Sequence, residues 1–203
     1  EITQRRYAET ALLRSQEIVD SNPNSERTDR AQVLVDLGDF YTITSDKRGK
    51  ETYLSAWAIL QETPGTQQLA SSLFDSPLRL YPRESPFLFL DRTPDGVTPG
   101  VELFADLQYD ISPDGRVQGI EIIDKNVPNK GVRLLRQIFR ASRYRPRIQD
   151  GELVSTEAVQ SRQLFAVLYK KPLPDNPQEA PADPPIEPLL LLEEPPAEAA
   201  PEA

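Results

Sequence analysis

The sequence predicts an α+β chain, with helical hairpins at the N-terminal end followed by a small antiparallel sheet and one packed helix in the order β-β-α-β. Three observations predict it. Residues 4–61 repeat apolar side chains at helical spacing. Residues 101–123 switch to strict alternation around a Ser-Pro-Asp-Gly turn. Residues 130–143 return to helical spacing, before a last apolar segment over 159–169 closes the sheet.

In the first helix Tyr7, Ala11 and Ile18, with Leu12 or Leu13, fall at helical spacings, and Ser21-Asn22-Pro23-Asn24-Ser25 ends it. From Asp29 the pattern resumes as Ala31, Leu34, Leu37, Gly38 and Tyr41. A third helix over 50–61 turns Tyr53, Ala56, Trp57 and Leu60 inward, and Gly38 is expected at the crossing opposite Tyr53 and Ala56. A short helix spans 66–74. Six prolines between residues 64 and 100 preclude long regular structure there. Within that stretch Phe87-Leu88-Phe89-Leu90 is too apolar for a free linker, and is expected as an added strand or as a plug packed against a domain.

Val101, Leu103, Ala105, Leu107, Tyr109 and Ile111 share one face of a half-buried strand, with Glu102, Asp106, Gln108 and Asp110 on the other. Ser112-Pro113-Asp114-Gly115 supplies the turn and 117–123 the return strand, making a β-hairpin. Pro128-Asn129 marks a stop and an N-cap. In the helix that follows, Val132, Leu135, Phe139 and Ser142 form one stripe, with Leu134 and Ile138 beside it, so Phe139 is expected between helix and sheet.

A chain of 203 residues with 38% apolar side chains holds one or two domains. Its polarity is uneven. After Lys171 there is no Lys or Arg, and that tail carries −8 of the net −9, leaving −1 for residues 1–171. Ten of the 20 prolines also fall there, so residues 172–203 are expected to be a disordered acidic tail. The resulting division is a helical region at 1–76, a Pro-rich connector at 77–100, an α+β domain at 101–171, and the tail. No run reaches the roughly 18 apolar residues of a membrane span. The chain starts without Met in what reads as mid-helix, which suggests a removed signal peptide or anchor. Zero Cys fits an exported or a cytosolic protein equally.

Two resemblances follow from these residues. Asp114-Gly115-Arg116-Val117 in the hairpin, Arg143-Tyr144-Arg145-Pro146 after the helix, and Asp150-Gly151 with Val154 beyond resemble, in order and spacing, the C-terminal domain of the TonB energy-transducer family. That resemblance covers residues 101–171. It implies a periplasmic, Gram-negative envelope protein that meets partners through strand addition and surface contacts. Leu37-Gly38 followed by Tyr41 resembles the first helix of a tetratricopeptide repeat, although Tyr53 and Ala56 come one residue early for that pattern.

The composition argues against catalysis. There is no His, Cys or Met, which removes the usual neutral-pH base, the strongest nucleophile and the soft metal ligands together. No phosphate loop, dinucleotide fingerprint or calcium loop is present, and Asp95-Gly96, Asp114-Gly115 and Asp150-Gly151 read as turns. No enzyme, cofactor, metal site or small-molecule substrate is therefore expected. One charged feature stands out: eight basic residues and no acidic ones between Lys125 and Arg147. At about 100° per residue, Arg133, Arg136, Arg140 and Arg143 lie in one arc beside the apolar stripe. These four, with Tyr144, Arg145 and Arg147, are the candidate partner-binding residues.

The reading is a non-catalytic interaction or scaffold protein of the bacterial envelope, binding protein partners there. It would meet a membrane only through a partner or an anchor. Alternatives are an energy-transducer component, or a module for nucleic acid or anionic surfaces. Nucleic acid is disfavoured, since the basic run carries Tyr144 but no interleaved aromatic platform.

Overall fold

A computed structural model describes residues 2–82, 87–90 and 102–167. The expected tail at 172–203, and parts of the expected connector, lie outside the described residues. Helices α1 (Ile2–Ser21), α2 (Arg27–Ile43), α3 (Arg48–Glu62) and α4 (Gln67–Phe74) come first. A reciprocal capping box between Glu26 and Asp29 starts α2. Its end is set by Ser45, whose φ of 60° breaks the helical path before α3 begins. Ala31, Val35, Tyr53, Ala56, Leu60, Ala70 and Phe74 pack into one apolar cluster. Gly38 lies at the α2–α3 crossing: a Cβ there would sit 2.5 Å from the Cδ1 and Cε1 atoms of Tyr53.

Helix α1 differs from its expected orientation. Tyr7 and Ile18 are 73% and 54% exposed, and the half-buried face is instead Glu9, Leu12, Gln16 and Val19. The reason is local to the neighbour: α1 packs mainly on α2, with Glu9 also pairing to Arg48 of α3 at 2.7 Å, and none of its described residues is buried in a core, so most of its apolar side chains keep contact with water.

Strands β1 (Leu78–Tyr81), β2 (Phe87–Leu90), β3 (Leu103–Ile111) and β4 (Val117–Lys125) precede helix α5 (Asn129–Ala141). Three short strands, β5 (Arg143–Arg145), β6 (Arg147–Gln149) and β7 (Glu152–Val154), then lead to β8 (Thr156–Val167). The main sheet runs β2-β8-β3-β4, antiparallel except for the β2–β8 edge. The expected β-β-α-β order is present, and the stretch expected as a connector adds β1 and β2. Along β3 buried and half-buried residues alternate without exception, as the sequence pattern requires. Their buried side meets Val132, Leu135 and Phe139 of α5.

Two details of α5 depart from expectation. Asn129 is inside the helix and Pro128 occupies the cap position without a side-chain bond; the Asn129 Oδ1 accepts from the Lys125 Nζ at 2.6 Å instead. The helix also stops at Ala141. Ser142 turns to extended backbone, is fully buried, and donates its hydroxyl to the Ile138 carbonyl at 2.9 Å. Beyond it β5 pairs with β1, and β6 pairs with β7 across the Asp150-Gly151 turn. Both turn residues have positive φ, 52° and 81°, the requirement of a type I′ two-residue hairpin loop. Ile148 of β6 enters the helical cluster, so the α+β part supplies a core residue to the helices.

Candidate partner-binding surface

Helix α5 sorts its residues by face. Val132, Leu135 and Phe139 are buried against the sheet, while Arg133, Arg136 and Arg140 are exposed at spacings of three and four on the flank beside that stripe. None of these three arginines makes an ion pair among the described residues. Arg140 stands in the last turn, where the helix dipole favours a cation. The result is a row of planar guanidinium groups on one helix, without carboxylate partners among the described residues.

The other four candidates do not extend that row. Because the helix ends before it, Arg143 belongs to β5; its guanidinium donates to the Ser142 carbonyl at 2.9 Å and reaches Ser45 Oγ at 3.4 Å. Tyr144 is 4% exposed. Its hydroxyl shares a 3.0 Å hydrogen bond with that of Tyr109, and its amide donates to the Gly115 carbonyl at 2.9 Å. Gly115 has a φ of +75°, and a Cβ there would collide with the Tyr144 carbonyl oxygen. The hairpin turn and the strand after α5 therefore interlock, and only glycine fits between them.

Arg145 is 6% exposed and makes a bidentate pair with Asp39 of α2, Nε to Oδ1 at 2.9 Å and Nη2 to Oδ2 at 2.6 Å. Burial works to discharge it, but the hydrogen bonds and charge of Asp39, reinforced by Tyr53, more than offset that and keep it protonated. The Tyr53 hydroxyl donates to the same carboxylate at 2.7 Å. Arg147 is half-buried, with its Nε enclosed and without a hydrogen-bond partner among the described residues. The expected seven-residue ridge thus resolves into three exposed arginines on α5 and a separate corner where Tyr144 and Arg145 bind the molecule together. An Arg at a sheet corner and an Arg on a helix face look alike in sequence. Asp39, the residue that claims Arg145, gave no signal, because it lies 106 positions away.

Among the described residues no three acidic, His or Cys side chains converge as a metal ligand set, and no helix is long and apolar enough to cross a membrane. The chain matches no protein-family model and no curated protein.

Proposed function

We propose that this chain is a non-catalytic interaction protein that recognises an acidic protein surface through α5. The observation that carries the reading is the row of Arg133, Arg136 and Arg140, exposed and without carboxylate partners among the described residues. Three arginines on a helix anchored by buried Val132, Leu135 and Phe139 have their backbone positions fixed before a partner arrives, which reduces part of the ordering cost of binding. Arginine suits such a role because its planar fork meets carboxylates in pairs and is weakly hydrated.

The resemblance of residues 101–171 to the TonB C-terminal domain, and of the α2–α3 pair to a tetratricopeptide repeat, supports placing the protein in the periplasm of a Gram-negative bacterium. Its partners there would be envelope proteins, and a role as an energy-transducer component is the alternative that the same resemblance brings.

The test places a photo-crosslinking amino acid at Gln137, beside the row, in living cells. One discrete protein adduct is expected, and it should disappear in the triple variant Arg133→Glu, Arg136→Glu, Arg140→Glu. An adduct that survives charge reversal sinks the proposal, and crosslinks to nucleic acid or lipid in place of protein would favour the anionic-surface alternative.

A further inference from the structure

A cleft of about 120 Å³ lies between the α2–α3 turn and the β3–β4 turn. Lys47 and Lys50 border it from the helical side, and Arg116 and Arg143 from the sheet side. Its two acidic residues are already engaged. Asp46 takes two hydrogen bonds from the Arg48 guanidinium, at 3.0 and 2.6 Å, and one from the Arg48 amide at 3.0 Å. These bonds, from the side chain first and the backbone second, hold its carboxyl below the ordinary range, so it stays ionised and occupied. Asp114 pairs with Arg116 at 2.9 Å and accepts from the Ser112 hydroxyl.

That leaves Lys47, Lys50 and Arg143 around one small cavity without a carboxylate partner among the described residues. The contrast with Arg145, two residues on, is direct: the same corner gives one arginine a buried carboxylate and leaves the next facing an open cleft. Arg143 is nonetheless fixed, since the Ala141 and Ser142 carbonyls accept from its Nη1 at 3.3 and 2.9 Å. Pro113, Pro146 and Leu153 supply apolar wall.

We infer that this cleft is a second recognition site, shaped for a carboxylate carried on a short apolar stem, namely a Glu side chain in an acidic segment of a partner protein. The cations at the rim meet the carboxylate, and the proline and leucine surfaces meet its methylenes. The inference rests on reading the chain as an interaction protein, and it adds a site whose residues come from both the helices and the sheet.

Titrate the full-length ¹⁵N-labelled chain with acetylated, amidated hexaglutamate and, separately, with inorganic phosphate. Amide shifts are expected at residues 42–50, 114–116 and 143–145. The double variant Lys47→Glu, Lys50→Glu, both on the surface, should weaken peptide binding about tenfold, and Arg143→Gln should weaken it without charge reversal. Arg27→Glu, exposed at the end of α2 remote from the cleft, should leave it within about twofold. Shifts confined to α5 with none around the cleft, or equal losses in the Arg27 and cleft variants, would overturn the assignment, as would phosphate binding the cleft more tightly than the peptide. A chain that loses its cellular adduct on α5 charge reversal, yet shows no cleft shifts, keeps the interaction reading and ends this one; cleft binding without a cellular adduct does the opposite.

Discussion

Arg145 and Asp39, 106 positions apart, meet in two hydrogen bonds of 2.9 and 2.6 Å, and this pair joins the strand after α5 to the second helix. The two side chains are unequally shielded, at 7% and 21% exposure. Removing the carboxylate therefore leaves the more deeply buried charge alone. Asp39→Ala should cost about 3–5 kcal/mol in urea melts. Arg145→Met should cost less, about 1–3 kcal/mol, because Asp39 keeps its bond from Tyr53 and some water. The double variant should lose less than the sum; simple additivity would mean that the two groups do not act as a pair.

Tyr53 makes the same junction sensitive to alkali. Burial, aided by the charge of Asp39, holds its phenol above the ordinary value near 10 in the folded chain. A group whose folded pKa is raised contributes stability that is complete below its unfolded pKa and is lost as pH rises towards the folded value. Stability should therefore fall above about pH 10, by at most about 1.4 kcal/mol per pH unit from this residue. Tyr53→Phe should flatten that part of the profile relative to the parent. Parallel profiles would show that the phenol titrates normally.

Gly38 is the next point of failure. The Tyr53 ring against it is 1% exposed and tethered at its hydroxyl by Asp39, so it cannot retreat from an added Cβ. Gly38→Leu should destabilise the chain by about 1–3 kcal/mol through overpacking. Retained stability in a denaturant melt would place the helices further apart than described.

On α5 the two faces should respond differently. Phe139 is 1% exposed and meets Tyr109 edge-on at 5.0 Å, with the Arg79 guanidinium 4.8 Å from its ring centre. Phe139→Ala should cost about 3–5 kcal/mol. Arg136→Glu, one turn away in water, should change stability by less than about 0.5 kcal/mol. Thermal melts of both variants check the assignment of faces; a large loss in Arg136→Glu would move that residue from recognition to structure.

Much of this architecture was legible because it is written in local periodicity. The alternation from Leu103 to Ile111 could bury one face only, and the stripe Val132, Leu135, Phe139 could face the sheet only one way. Gly38 at a helix crossing and Asp150-Gly151 at a hairpin turn follow from the one property that sets glycine apart, the absence of a side chain. The orientation of α1 was not legible, since Tyr7 and Leu12 offer two apolar faces and the choice between them depends on where α2 lies. Nor was the end of α5: helical spacing continues on paper through Arg143, and it takes the burial of Ser142 and the pairing of β5 with β1 to stop it.

The sequence by itself determined the α+β order, the inward faces of α2, α3, β3 and α5, and the concentration of positive charge between Lys125 and Arg147, all of which depend on neighbours within a few residues. Only the tertiary structure decided which of those charges remain available. Arg133, Arg136 and Arg140 stay in water because nothing described packs over that face of α5, Arg145 is consumed by a carboxylate from α2, and Arg143 is turned towards Lys47 and Lys50. A guanidinium is the same chemical group at each position, and its role is set by which distant residue the fold brings within about 3 Å of it.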